Sequence, residues 1–143
     1  MAEAVTRFVV RAPIERVWAL LSDMEQVGRC VPGCRAVRVI NDLDSEWTVE
    51  AQLGPFRRTL QMRAHTTERI PPVRGAFVAE GEDLVTTGSL DLRALDDGQT
   101  EVVYRATATA RGPVSGLVEK LIASQLPRQG EAFARNVKAR LET

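Results

Sequence analysis

Two cysteines and one histidine are the side chains of this sequence best suited to bind a metal or attack a substrate. Cys30 and Cys34 flank Val31-Pro32-Gly33, but zinc would need further Cys or His ligands, and a single histidine cannot complete a tetrahedral site. A catalytic thiolate would need a neighbouring base or a strongly electropositive site, and the sequence requires neither. We therefore expect two unreactive thiols in the core or in a loop, with no metal and no cofactor.

The histidine, His65, falls on the polar side of a predicted strand, which favours an exposed surface residue over a catalytic base. The sequence contains neither a glycine-rich phosphate-binding motif nor a Gly-x-Ser-x-Gly nucleophile motif. Most carboxylates fall in turns or alternate with apolar residues, as on a solvated surface. Enzymatic activity is thus left open, and a non-catalytic role is favoured.

One charged residue interrupts an otherwise apolar strand face. Arg58 shares the alternation of Phe56, Leu60 and Met62, which predicts that all four point to the same side of a sheet. Its long side chain would either extend to solvent from the rim of a cavity or contact a polar group of a ligand.

Tyr104 is a second candidate ligand contact, because it shares a strand face with the small residues Ala106 and Ala108. A tyrosine among small residues can direct its hydroxyl into a cavity. The alternative is a core tyrosine with an ordinary hydrogen bond, and the sequence does not decide between the two.

Length and charge limit the class of protein. The 143 residues are enough for one domain with its own core, and 19 basic residues balance 19 acidic ones. That balance gives no electrostatic argument for nucleic acid or an anionic membrane as partner. No run approaches the roughly 18 apolar residues of a membrane span, and the N-terminus has no signal-peptide pattern. We expect a single cytoplasmic domain over residues 1–143, with the two cysteines in a reducing compartment.

The apolar periodicity predicts seven strands and three helices in the order β-α-α-β-β-β-β-β-β-α. Strands are predicted by alternation, and the first two helices by three- and four-residue steps. Ser22 or Asp23 would cap the second helix, with Gln26 completing a capping box, and Pro32-Gly33 would end it. The predicted strands are 4–11, 36–40, 46–53, 56–65, 76–82, 85–95 and 101–110.

The last thirty residues predict one long helix, from Gly112 to Leu141, with a single apolar stripe. Pro113 suits the first helical position, since its missing N–H would have no intrahelical partner. Pro127 lies well inside the helix and predicts a kink or a short break near Leu126.

Hairpin connections after the second helix predict an antiparallel meander, because parallel strands would need crossover helices. With one apolar face, this sheet would curl around the last helix. A bent sheet around a long helix tends to leave an apolar cavity. The expected fold class is α+β.

Particular residues resemble those of a known family. Ala12-Pro13, Val17-Trp18 and Leu21 resemble the opening of the START-like (SRPBCC) superfamily of polyketide cyclases and lipid-transport proteins. A more specific set, spread over nearly the whole chain, resembles the CoxG family within it, which is named after a component of carbon monoxide dehydrogenase. That set is Asp23, Cys30-Val31-Pro32-Gly33-Cys34, Leu53-Gly54-Pro55-Phe56, Thr100, Tyr104 and Gly112.

This resemblance implies the helix-grip fold, about seven curved strands around a C-terminal helix, and a pocket for lipids, polyketides or quinones. It also implies association with molybdenum-containing carbon monoxide dehydrogenases, in membrane recruitment or maturation. The sequence ends at Thr143 without the extension of longer members. We therefore expect no integral membrane segment, and membrane contact that is transient at most.

The predicted function is non-catalytic binding or carriage of a lipophilic, quinone- or lipid-like molecule, accessory to a carbon monoxide dehydrogenase-type molybdenum hydroxylase. The alternatives are a cyclase, dehydratase or hydrolase using Tyr104, Arg58 or a buried carboxylate, and an adaptor with a filled core. The predicted ligand-contacting residues come from the sheet, the last helix and the rim. They are Trp47, Val49, Phe56, Leu60, Met62, Tyr104, Leu117, Leu121, Gln125 and Arg58.

Overall fold

The computed structural model describes residues 1–142, with Leu53 described through its backbone. Within this range the predicted order of seven strands and three helices is confirmed. The elements are β1 Ala2–Val10, α1 Ile14–Leu21, α2 Met24–Cys30, β2 Cys34–Val39, β3 Asp44–Leu53, β4 Phe56–Ile70, β5 Arg74–Glu80, β6 Leu84–Ala94, β7 Thr100–Ala110 and α3 Ser115–Leu141.

The seven strands form one antiparallel sheet in the order β1-β7-β6-β5-β4-β3-β2. Consecutive strands from β2 to β7 are neighbours, as the predicted meander requires, and β1 closes the order by pairing with β7. The predicted hairpin of β3 and β4 has Trp47 opposite Met62 and Val49 opposite Leu60. Residues opposite each other point to the same face, so this register sets one apolar face toward α3. The α+β fold class is confirmed.

Helices α1 and α2 follow each other because Asp23 begins the second one. Its Oδ1 accepts hydrogen bonds from the backbone amides of Glu25 at 3.1 Å and Gln26 at 3.3 Å. The Gln26 side chain donates back to Asp23 Oδ2 at 3.0 Å, and this bond holds the pKa of Asp23 below its usual value. Asp23 is thus the cap, while the Ser22 hydroxyl donates to the Trp18 carbonyl in the preceding turn.

Two glycines set the turns that bring the sheet around the helix. Gly33 has φ +82°, and a Cβ there would overlap the Glu50 carbonyl oxygen, so only glycine allows this approach to β3. Gly54, at φ +62°, and Pro55 form a two-residue connection between β3 and β4. A positive φ followed by the fixed negative φ of proline suits a type II′ hairpin turn.

The last helix differs from its prediction at two points. It begins at Ser115, not at Gly112, because Gly112 has φ +101° and its carbonyl accepts the Ser115 amide in a tight turn. Pro113 therefore precedes the helix. The predicted break near Leu126 is wrong, since α3 runs without interruption through Pro127. Ala123, whose carbonyl loses the Pro127 N–H, is exposed, so solvent can satisfy that carbonyl.

The packing of α3 is unequal along its length. Its buried residues all lie from Gly130 onward, where Phe133, Val137 and Leu141 join the main core with Val10 and Val102. Gly130 permits this contact, because a Cβ at that position would overlap Thr6 Oγ1 on β1. The C-terminal half of α3 therefore rests on β1 and β7, and the N-terminal half has no buried residue.

Replacing Gly130 with alanine should push α3 away from β1. We expect Gly130→Ala to lower the free energy of unfolding by about 1–3 kcal/mol, the usual range for overpacking, measured by urea denaturation. Gly116, in the exposed first turn of the same helix, has open space around its Cβ position and serves as the control. Gly116→Ala should leave stability unchanged or raise it, since alanine is the better helix former. Equal loss in both variants would contradict a specific contact at Gly130.

Candidate ligand-binding cavity

A cavity of about 510 Å³ lies between the inner face of the sheet and the N-terminal half of α3. This volume is within the usual range for small-molecule sites, about 300–1,000 Å³. It exists because α3 is held against β1 and β7 by its second half, while its first half extends over the middle of the sheet. The α3 side chains that face the space include Val118, Ile122 and Leu126.

The floor of the cavity is open because small residues lie side by side across three strands. Ala106 on β7 is paired with Ala4 on β1 and with Gly88 on β6. Gly88 in turn faces Phe77 on β5, and a Cβ at Gly88 would overlap the Phe77 ring. Side chains of this size cannot fill the distance to α3, so the layer between sheet and helix remains unfilled.

The remaining walls are mostly apolar and come from both short helices and the β3–β4 hairpin. Trp18 of α1 reaches the cavity over Gly75, whose Cβ position is 3.8 Å from the indole ring. Trp47 is buried, and its indole N–H donates to Ser45 Oγ at 2.8 Å, so its polar group is satisfied by the protein. Further apolar lining residues are Leu21, Met24, Val27, Val31, Leu84, Leu90 and Leu92.

Tyr104 lies deep in the cavity, with its ring tilted 41° against Phe133 at a centroid distance of 5.4 Å. Burial raises the pKa of its hydroxyl, so the phenol is neutral and a hydrogen-bond donor at physiological pH. Tyr104 retains accessible surface because the cavity touches it, although protein atoms surround the residue. Its side chain makes no polar contact with residues of the described range that would supply a second ionisable group for proton transfer.

Charged lining residues lie where the cavity opens to solvent. Arg58, Glu82, Asp83 and Arg111 are all exposed. Arg58 follows the β3–β4 turn on the inner face, opposite Ala51, and makes no ion pair with any residue in the described range. The cavity thus combines an apolar interior having one deep neutral hydroxyl with a charged rim.

Seven of the ten residues predicted to contact a ligand line this cavity. They are Trp47, Val49, Arg58, Leu60, Met62, Tyr104 and Gln125. Gln125 also connects the helix to the sheet, because its side-chain amide donates to the Gln52 carbonyl of β3.

The other three lie outside the lining. Phe56 is 69% exposed at the hairpin turn, and Leu117 is 63% exposed on α3. Leu121 contacts the hairpin turn, 3.7 Å from the Cβ position of Gly54. The alternation and the helical stripe are real, but both continue past the end of the cavity, where these three side chains have the hairpin turn or solvent beside them.

Sequence reasoning missed the floor and the far wall. Ala4, Ala106 and Gly88 carry no functional group, and Trp18 was interpreted as an ordinary inward residue of α1. The available signal was the row of small residues on the Tyr104 face of β7. Strand pairing, which the sequence does not give, is needed to see that this row continues onto β1 and β6.

The candidate metal and nucleophile residues take structural positions. Cys30 is fully buried and Cys34 partly so, both are free thiols, and burial raises the pKa of each. His65 is exposed, and its Nδ1 lies 2.8 Å from Asp44 Oδ1, a hydrogen bond that holds the pKa of Asp44 below its usual value. Among residues 1–142, no three His, Cys, Asp or Glu side chains lie close enough together to hold a metal ion.

A curved antiparallel sheet around a long C-terminal helix, with two short helices after the first strand, defines the START-like (SRPBCC) class. Comparison with known proteins agrees. The profile of the CoxG family, named after a component of carbon monoxide dehydrogenase, matches residues 7–142, and the chain belongs to that family. The sequence matches none of the curated proteins with which it was compared.

Solved structures with the same fold include three informative examples. A conserved protein of Geobacillus kaustophilus has a TM-score of 0.84 at 17% identity, over 98% of this chain and 95% of that one. The Zhui aromatase/cyclase of Streptomyces sp. R1128 has a TM-score of 0.77 at 16% identity, over 98% and 93%. A START superfamily protein of Mycobacterium smegmatis has a TM-score of 0.75 at 15% identity, over 99% and 98%. These identities establish a shared fold.

No helix in residues 1–142 has the combination of length and apolar composition that a membrane span requires. The longest, α3, has charged residues throughout, including Glu119, Lys120, Arg128 and Glu131.

Tyr104 is the one tyrosine in the sequence, so its ionisation can be followed directly. Because burial raises its pKa, we expect the folded protein to show little phenolate absorbance at a pH of about 10, the ordinary midpoint. The folded state then holds the proton more tightly than the unfolded chain. Stability from the neutral phenol is therefore complete below pH about 10 and is lost as the pH rises through the raised pKa. The same chain in urea should titrate near pH 10. An ordinary midpoint in the folded protein would contradict a buried hydroxyl.

Proposed function

We propose that this protein is a non-catalytic carrier of a lipophilic small molecule, quinone- or lipid-like, accessory to a carbon monoxide dehydrogenase-type molybdenum hydroxylase. The observation that carries the proposal is the cavity of about 510 Å³, apolar inside and charged at its rim. Membership of the CoxG family supports the partner enzyme. The location that fits this role is the cytoplasm, with transient contact to a membrane that holds the ligand.

Binding in such a cavity would depend on apolar burial. Each Å² of apolar surface removed from water contributes about 25 cal/mol before the costs of ordering and association are subtracted. A ligand that buries about 300 Å² of apolar surface would therefore gain on the order of 7 kcal/mol gross. The few polar groups of the lining would fix orientation more than affinity.

A cyclase, dehydratase or hydrolase would use the same cavity differently. Proton transfer needs a general acid or base within hydrogen-bond reach of the reacting atom, and often a second group to orient it. Tyr104 lies deep while Arg58 is exposed, and no two lining side chains of the described chain form an ion pair. The shared fold with an aromatase/cyclase does not transfer that activity, because function resides in the site residues. Carriage is the better-supported proposal.

Filling the floor should abolish binding without unfolding the protein. Ala106→Phe places a ring in open space, so we expect at least tenfold weaker binding of a lipophilic fluorescent probe and little loss of stability. Arg105, the next residue of β7, points to the opposite face and is exposed, so Arg105→Phe is the matched control. Equal binding by both variants would contradict ligand binding in this cavity.

The ligand itself is identified by native mass spectrometry of protein purified from its own host. We expect a lipophilic compound at near-stoichiometric amount, and its loss in Ala106→Phe. Repeated recovery of empty protein that also fails to bind quinones and lipids would overturn carriage.

Pro127 is expected to affect ligand exchange. A mid-helix proline lacks a backbone hydrogen bond, so it weakens the connection between the packed half of α3 and the half that covers the cavity. Pro127→Ala should stabilise the helix and slow ligand release severalfold, measured by stopped-flow displacement of a bound probe. An unchanged release rate would mean that the proline is a tolerated irregularity of the helix.

A further inference from the structure

Tyr104 is the one deep residue of the cavity whose polar group is left without a partner among the described residues. Its hydroxyl makes no hydrogen bond to any of them, whereas the polar group of Trp47 is satisfied by Ser45. Within residues 1–142, no fully buried side-chain nitrogen or oxygen lacks a hydrogen-bond partner. The Tyr104 hydroxyl is therefore in contact with open space, and the open space beside it is the cavity.

The nearest hydroxyl on the neighbouring strand does not have the same freedom. Thr6 is the β1 partner of Tyr104 in the sheet register and also lines the cavity. Its Oγ1 is directed at Gly130 of α3, where it occupies the space that a Cβ would need. Thr6 is thus engaged by the helix contact, and Tyr104 is left as the donor that faces a bound molecule.

We infer that the Tyr104 hydroxyl donates a hydrogen bond to a neutral oxygen of the ligand, so that the carried molecule is a carbonyl compound bound with its oxygen-bearing ring innermost. This inference rests on the proposed carrier function and specifies the ligand for the same cavity. It also gives an orientation, because the apolar remainder of the molecule would extend toward the rim at Arg58.

The charge distribution excludes an anionic inner end. A carboxylate at the depth of Tyr104 would be removed from water with no cation beside it, since the basic lining residues Arg58, Arg69 and Arg111 are exposed. Burial of an unpaired charge is strongly unfavourable, whereas a neutral carbonyl costs little once it accepts a hydrogen bond. A fatty acid would consequently bind the other way round, with its carboxylate at the rim.

The aromatic surroundings favour a ring next to that oxygen. Phe133 lies at 5.4 Å from the Tyr104 ring and tilts against it, and Trp18 is a further aromatic residue of the lining. Offset and tilted ring contacts are the preferred geometries of aromatic pairs. A planar ring bearing a carbonyl can therefore contact aromatic faces while its oxygen accepts from Tyr104.

The test compares two ligands that differ in their oxygens. An alkylated 1,4-naphthoquinone and the naphthalene with the same alkyl chain are titrated by calorimetry into the wild-type protein, Tyr104→Phe and Thr86→Val. Tyr104→Phe keeps the ring and its contact with Phe133. Thr86→Val removes a hydroxyl that also lines the cavity, four residues from the register partner of Tyr104 and about 13 Å along β6.

We expect Tyr104→Phe to weaken naphthoquinone binding about three- to tenfold, as for loss of one neutral hydrogen bond. Naphthalene binding should be unchanged or tighter in this variant, and Thr86→Val should affect neither ligand. In the wild-type complex the infrared C=O stretch of the naphthoquinone should shift to lower frequency. That shift should vanish in Tyr104→Phe, which a merely structural role of the tyrosine would not produce.

The outcomes separate the two proposals. If both ligands bind the wild type but Tyr104→Phe affects them equally or not at all, the tyrosine contact is overturned and carriage stands. If a C=O shift is absent in the wild-type complex, the contact is overturned even should Tyr104→Phe fail to fold. If neither ligand nor a fatty acid binds the wild type, carriage fails and the tyrosine contact fails with it.

Discussion

The contact between Gly130 and Thr6 is the constraint on which the rest of the structure depends. It brings α3 onto β1 closely enough for Phe133 and Val137 to enter the main core. Protein interiors are close-packed, so a helix held this closely along its second half has its direction fixed. Its first half then extends over the sheet whether or not side chains are there to meet it. The cavity is a consequence of where the helix is fixed.

What fills that space is decided by residue size on the opposite layer. Ala4, Ala106 and Gly88 form a row across β1, β7 and β6 that is too small to reach α3. Larger residues at the same positions would convert the cavity into ordinary core and stabilise the domain through apolar burial. Their absence leaves stability unrealised at a place where ligand binding can use it.

The chemistry of the interior is limited, and this separates binding from catalysis. Tyr104 is neutral because burial disfavours its phenolate, and the charged lining residues stay where water solvates them. Such a site can recognise shape and one acceptor oxygen, but its described residues offer no acid–base pair. The fold is shared with an aromatase/cyclase at 16% identity, which shows how one architecture accommodates different site residues.

Much of the fold followed from local patterns. Alternation predicted the strands, Asp23 with Gln26 predicted the start of α2, and hairpin turns predicted the antiparallel order, because each depends on residues close in sequence. Residues facing the cavity on the β3–β4 hairpin were also accessible, since a two-residue turn fixes the register of Trp47 and Met62.

The tertiary structure alone decided where the apolar faces end and where they leave a gap. Phe56 and Leu117 continue valid patterns but lie beyond the cavity, and α3 runs through Pro127 because the freed carbonyl of Ala123 faces solvent. The floor of small residues required the pairing of β1 with β7, which are about a hundred residues apart in the chain. Sequence periodicity records which side of an element is apolar, whereas the distance to the opposite layer is set by packing contacts made elsewhere, here at Gly130.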